Sequence, residues 1–357
     1  EREFPTPEEW TNWTRFLYRT ARGREIPESN DPKVADWGRA FENYKAALER
    51  LEDPEKDGQG LVELAEGGLY VPGIGKAGFD LQNKSEPWRQ GYYEVLMGLA
   101  TSAEHLDGFV LDKKKHTYVP EKYVVGPNHP DARPLPPWIK SVPQEQDSEV
   151  AAPPAENYYT KILTTTGFTT KQRLDAAISY AEWLNFKDLR DSALETLHWA
   201  LDIACTSLPR AQDVVDRESG IIRAKAPVVT ENIITATTAL GVHQAQTGNA
   251  SAALAIFLSV LRAVRAAPHA ATVVDNTEIK AAPTTDVGLV ADTIRQFLAM
   301  LEERPYPPPP PSGDEPYART ADAECAEAAL LVYIGEILFA SSPSKHLEGI
   351  QWTRSGL

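Results

Sequence analysis

Cysteine and methionine are scarce in this chain, with two of each among 357 residues. Two cysteines in so long a chain make no disulfide framework, and Cys205 and Cys325 both fall in Ala-rich helical text, where a free cysteine serves as a small core residue. A pairing between them stays open, so they do not report the compartment. Positive charge is short as well: 36 Lys and Arg against 51 Asp and Glu leave a formal net charge of −15. That argues against a nucleic-acid partner, because phosphate binding needs a basic face. The one basic run, Lys113-Lys114-Lys115, reads as a solvated loop. No apolar run approaches the ~18 residues needed to span a bilayer. The chain opens at Glu1 without a methionine, so it is read as a piece or processed product of a longer one; an upstream targeting segment or anchor would lie outside it.

Catalytic constellations are missing too. The seven histidines include no pair at the i, i+4 spacing of a helical metal site, and no cysteine pair supports one. His198 and His243 lie on helices, where packing or surface roles are expected. The stretch Gly73-Ile74-Gly75-Lys76-Ala77-Gly78 spells G-x-G-x-x-G, but neither a strand before it nor a helix after it is readable, and Ala77 stands where a P-loop has Ser or Thr. It reads as a glycine loop. No nucleophile elbow occurs. Paired acids such as Glu8-Glu9 and Glu302-Glu303 suit helix starts better than acid–base chemistry. The expectation is a non-enzyme without cofactor or metal.

What is present is helical periodicity, interrupted by 28 prolines. Thr6-Pro7-Glu8-Glu9 reads as a capped helix start, followed by a face of Trp10, Trp13, Leu17 and Tyr18. A second helix carries Trp37, Ala40, Phe41, Tyr44, Ala47, Leu48 and Leu51, and a third Trp88, Tyr92, Val95, Leu96, Leu99 and Ala103. Residues 1–112 form this N-terminal helical block. Residues 113–155 are so dense in proline that no regular core element is expected there. Residues 156–268 hold two helical hairpins. In the first, Leu174, Ala177, Ile178, Ala181 and Leu184 face Ala193, Leu197, Ala200, Leu201 and Ala204, with Asp188 as the cap between them. The second turns at Gly248-Asn249. Residues 269–357 hold a helix near 286–303, the run Pro307 to Pro311 and a last hairpin. Short connections force antiparallel neighbours, and successive hairpins of similar size are a repeat signature. The fold class expected is all-α: helical hairpins stacked as a short solenoid, with long proline-rich insertions.

Leu240-Gly241, Gly248, Ala253 and Phe257 stand at the spacing of tetratricopeptide (TPR) repeats, which the second hairpin resembles. Ala181, Ala193, Leu197 and Ala200 fit the preceding repeat, Ile334-Gly335 with Gly349 a third, and Ala40, Tyr44 and Ala47 a lone second helix. The match departs from the family at Val260, where a small residue is usual, and at the late Pro268. The opening PTPEEWTNWTRFLYRTA, with proline-broken repeats and an acidic body, is also similar to fungal mitochondrial inner-membrane TPR adaptors of the i-AAA protease. That second resemblance implies an upstream anchor, a repeat domain on the intermembrane-space side, and the protease and its substrates as partners. Otherwise a cytoplasmic protein is expected.

The TPR resemblance implies a groove lined by the first helix of each repeat, receiving a protein or peptide segment. Carried over, its lining is Asp175, Ile178, Glu182 and Asn185; Thr235, Thr238, Val242 and Ala245; and Ala329, Val332, Glu336 and Phe339. Acidic and apolar residues together suit a partly hydrophobic or basic segment, so an adaptor or scaffold is the first reading. A co-chaperone clamping the carboxylate tail of a chaperone is the alternative; it would need Lys, Arg and Asn where Glu182, Val242 and Glu336 stand. A helical hydrolase comes third, for want of nucleophile, base and orienting group.

Overall fold

Most of the periodic stretches fold as helices. The computed structural model describes residues 4–30, 33–63, 70–71, 75–76, 78–128, 134, 137, 142–269 and 306–356, and these are mostly helical. The expected helix near 286–303 and half of the Gly73–Gly78 run (residues 73, 74 and 77) lie outside the described residues. No described helix is long and apolar enough to cross a membrane. The chain divides into two units, Glu1–Thr169 with Arg304–Pro310, and Thr170–Glu303 with Pro311–Leu357.

In the first unit, α1 (Asn12–Glu25) packs on α2 (Trp37–Leu51), α2 on α3 (Glu86–His105), and α3 on α4 (Ala155–Thr164). The stripes read on α2 and α3 are buried, with Tyr44, Tyr92, Val95, Leu96 and Leu99 wholly so. The reading of α1 needs correction. The helix starts after Thr11 rather than at Thr6, and the Thr6 hydroxyl instead accepts from Arg15 Nε at 2.9 Å and from Arg19 Nη2 at 2.9 Å. Trp10 therefore precedes the helix, although it is buried. The inward face is Thr14, Leu17, Tyr18 and Ala21, which leaves Trp13 58% exposed and stacked on Phe16.

Strands qualify the all-α expectation. β1 (Val62–Glu63) pairs with β4 (Phe79–Asp80), and β2 (Tyr70–Val71) with β3 (Gly75–Lys76). β5 (Phe109–Asp112), β6 (Thr117–Pro120) and β7 (Ser148–Val150) make an antiparallel sheet in the order β6-β5-β7. The proline-dense segment thus does hold regular structure. β6 and β7 are edge strands, and Pro120 sits at the end of β6, where a missing N–H breaks little of the ladder. The lysine run caps this sheet: Lys113 pairs with Glu149 at 3.0 Å, Lys114 with Asp147 at 2.7 Å and Lys115 with Asp112 at 3.5 Å.

Three tyrosines buried in this unit end on carboxylates. Tyr44 donates to Glu25 at 2.7 Å, Tyr92 to Glu52 at 2.8 Å and Tyr159 to Glu104 at 2.6 Å. Each of these three rings fills the core while its hydroxyl reaches an acceptor, so these hydroxyls are not orphaned. Lys161, fully buried, joins the Glu52 carboxylate at 2.5 Å and lies over the Phe79 ring. Burial pushes its ammonium below its usual range, against the pull of Glu52.

Among the described residues the second unit holds three helical hairpins: α5 (Thr170–Phe186) with α6 (Arg190–Ala204), α7 (Glu231–Gln246) with α8 (Ala250–Ala266), and α9 (Ala321–Ser341) with α10 (His346–Gly356). α7 also packs on α6 and α5, and α9 on α8. Thr230 caps α7 through its hydroxyl, which accepts from Ile233 N. Asp188 does not cap α6. It takes a left-handed φ of 59° in the turn, and its carboxylate pairs with Arg190 at 2.9 Å. Gly248 takes the equivalent turn position with φ 87°, a conformation that costs a glycine little. A connection from Cys205 to Val229, not expected as an ordered piece, buries Val214, Val215 and Ile222.

Two outcomes test this packing. Glu52→Leu strands the Lys161 charge and should cost roughly 3–5 kcal/mol, whereas Lys161→Met, which removes the charge and keeps the bulk, should cost clearly less; denaturant melts compare them. Ala253 is wholly buried between helices while Ser251 is exposed. Ala253→Leu should destabilise by ~1–3 kcal/mol and Ser251→Leu hardly at all.

Candidate functional site

Helices α5, α7 and α9 share one open face in the second unit. Their side chains enclose a groove of about 440 Å³, within the range of ligand sites. α5 contributes Ile178, Ala181, Glu182 and Asn185; α7 contributes Ile234, Thr235, Thr238, Ala239, Val242, His243 and Gln246; α9 contributes Ala326 and Tyr333, and Leu197 comes from α6. Leu174, Ala177 and Leu184 of α5, and Ile233, Ala236 and Leu240 of α7, are spent on the core, as are Ala181 and Thr237 between them, whereas Glu182 and Thr235 are exposed.

Half of the lining expected from the sequence meets here: Ile178, Glu182, Asn185, Thr235, Thr238 and Val242. Asp175, Ala245, Ala329 and Val332 are not part of it. Glu336 and Phe339 lie elsewhere, in a cavity of the last hairpin with Gly335, Gly349, Ile350, Thr353 and Arg354. The three residues expected to share one groove position therefore do not: Glu182 and Val242 come together, and Glu336 stands apart. On α9 the groove is met by Ala326 and Tyr333, seven residues apart and so on one helical face. The Tyr333 ring also lies 5.4 Å from that of Phe257, tying α9 to α8.

The walls mix methyl groups with hydrogen-bonding side chains, and Glu182 is the one carboxylate. Its desolvation among these walls raises its carboxyl above the usual range. Asp175, one turn before Ile178, is raised in the same way, with Lys171 opposing the shift and Glu231 adding to it. Of the packing and surface roles open to His243 from the sequence, the structure shows the first: it is 3% exposed. Its Nδ1 nevertheless has no hydrogen-bond partner among the described residues. Desolvation first, then the charges of Arg190 and His198, hold the imidazole below its ordinary range. Neutral imidazole retains an acceptor or a donor for a bound segment. Among the described residues no group of three or more His, Cys, Asp or Glu is placed to hold a metal ion.

No protein-family model matches the chain, and neither a curated protein nor a solved structure is significantly similar to it.

The burial of His243 gives a pH signature. Its folded value lies below the ordinary 6.5, so as pH falls the unfolded chain takes up the proton first. The stability tied to the neutral ring is whole above about pH 6.5 and is lost on acidification toward the folded value. Thermal melts between about pH 8 and pH 5 should show a smaller loss in His243→Gln than in the wild type. Equal losses would mean that the ring is not confined as described.

Proposed function

We propose that the second unit is a TPR-like binding module and that the chain works as an adaptor or scaffold, holding a segment of another protein in the α5–α7–α9 groove. The observation that carries this reading is the convergence of three first-of-hairpin helices on one groove, where exposed Glu182, Thr235 and Gln246 stand over a buried floor of Ala181, Leu197 and His243. Hydrogen-bonding side chains (Asn185, Thr235, Thr238 and Gln246) alternate there with Ile178, Ile234 and Val242. Such a surface holds an extended or helical segment by its backbone and by apolar anchors. Glu182 favours a basic or neutral segment and disfavours an acidic tail, which sets the module apart from a carboxylate-clamping co-chaperone. The lining offers one carboxylate and no nucleophile beside a base, a composition for holding rather than transferring, and we read the chain as a non-enzyme. Within this proposal, the likeness of residues 5–21 to the fungal inner-membrane adaptors places the work on the intermembrane-space side of the mitochondrial inner membrane, with the i-AAA protease and its substrates as partners.

A photo-crosslinking amino acid at Thr238 tests the groove in cells, with one at exposed Ser251 as the reference. Thr238 should capture protein that Ser251 does not. Glu182→Lys with Thr235→Arg should abolish that capture while thermal stability stays nearly constant, since both positions are exposed and surface charges contribute little to folding. Glu336→Lys should leave it intact. Equal capture at both positions, or indifference to the groove substitutions, would end the proposal.

A further inference from the structure

We propose that the second unit carries another docking site, a cationic pocket beside α8 that takes an acidic, partly apolar segment of a partner protein. The pocket has a volume of about 270 Å³. Ala263 and Ala266 of α8 form its floor, Pro227 and Val228 one wall, and Pro316 and Tyr317 the other. The two walls are joined by backbone: Tyr317 N donates to Val229 O at 2.8 Å, and Arg319 N to Pro268 O at 2.8 Å. Among the described residues, the only charged side chains lining it are Arg223 and Arg262. A second, open cavity shares Arg223, Pro227 and Val228 and adds Arg210 and Lys225 against the single acid Asp213.

Four cations facing one acid are unexpected on a chain of net charge −15. Neighbouring arginines of this unit are taken up by carboxylates: Arg190 by Asp188, Arg217 by Asp202, and both Arg265 and Arg319 by Glu327. Arg262, one turn before Arg265 on the same helix, has no salt bridge to a described residue, and neither do Arg210, Arg223 and Lys225. Asp216, which feels Arg223, already accepts the Ser219 hydroxyl at 2.5 Å. The guanidinium groups are therefore available for bidentate carboxylate pairing, and the low-dielectric walls focus their field. The apolar floor and the 40% exposed Val228 suit a hydrophobic side chain between two acids. A bare anion would leave them uncovered.

Fluorescence anisotropy tests this with a short labelled peptide of alternating glutamate and leucine, and with its lysine–leucine counterpart. The glutamate peptide should bind and the lysine peptide should not, with affinity falling as salt rises. Arg223→Gln with Arg262→Gln should weaken binding roughly tenfold or more. Ala266→Trp fills the pocket and leaves both charges, so it should weaken binding comparably and decides the matter if the arginine variant does not fold. Three outcomes overturn the proposal: no binding of the glutamate peptide, unchanged affinity in the variants, or displacement by inorganic phosphate or anionic phospholipid vesicles as effective as by unlabelled peptide.

Discussion

Close approach of helix backbones is the constraint on which the second unit depends. In the last hairpin a Cβ on Gly335 would stand 2.7 Å from the Gly349 carbonyl oxygen, and a Cβ on Gly349 would stand 2.6 Å from that of Gly335. The two helices touch through their main chains, and any side chain at either position would force them apart. In the preceding hairpin Gly241 faces the Phe257 ring at a distance a Cβ would violate, and Ala253 is wholly buried. Small residues bring one helix of a pair close; a large one then fills the space toward the next hairpin, as Phe257 does against Tyr333. The groove follows from this geometry. Because the paired helices and their neighbours consume one face of α5, α7 and α9, the opposite face is left free and aligned.

The acidic balance has a structural use that a net charge conceals. In the first unit Glu25, Glu52 and Glu104 each terminate a tyrosine whose ring is buried, and Glu52 also neutralises Lys161. Desolvation, with the neighbouring carboxylates adding to it, pushes the hydroxyls of Tyr44 and Tyr92 above their usual range, which keeps them protonated donors. Asp112, Asp147 and Glu149 absorb the lysine run in the same way. These carboxylates are committed to bonds within the chain. Glu182 at the groove, and Arg223 and Arg262 beside α8, have no such partner among the described residues.

How legible this was in the sequence depended on the kind of contact. Periodicity located α2, α3 and the hairpins of the second unit, because their buried stripes are long and apolar. It misplaced α1, since the Thr-Pro-Glu-Glu signature is local, whereas the true start is set by Thr11, whose N–H and hydroxyl both reach Asp57, at 2.7 and 2.8 Å, across 46 residues. It also missed β6 and β7. β7 pairs with β5 across more than thirty-five residues, a contact that no window of sequence displays, whereas β6 closes a local hairpin with β5 over Lys113–His116 and was hidden by its terminal proline, which is tolerated at an edge.

The groove was legible on α5 and α7 and illegible on α9, and the cause lies in the third hairpin. Matching Ile334-Gly335 to Leu240-Gly241 puts Glu336 beside Val242 only if both hairpins close in the same way. They do not. Gly241 abuts the Phe257 side chain, whereas Gly335 abuts backbone at Gly349. The connection is also different, a Pro343–Lys345 turn in place of the Gly248 turn. With its partner helix drawn in to main-chain contact, α9 places Gly335, Glu336 and Phe339 in a cavity shared with α10, and Ala326 and Tyr333 line the groove with α5 and α7 instead. A change from ring contact to backbone contact at one small residue is enough to move which side chains a repeat presents. The identity of that residue, glycine in both hairpins, gives no sign of it.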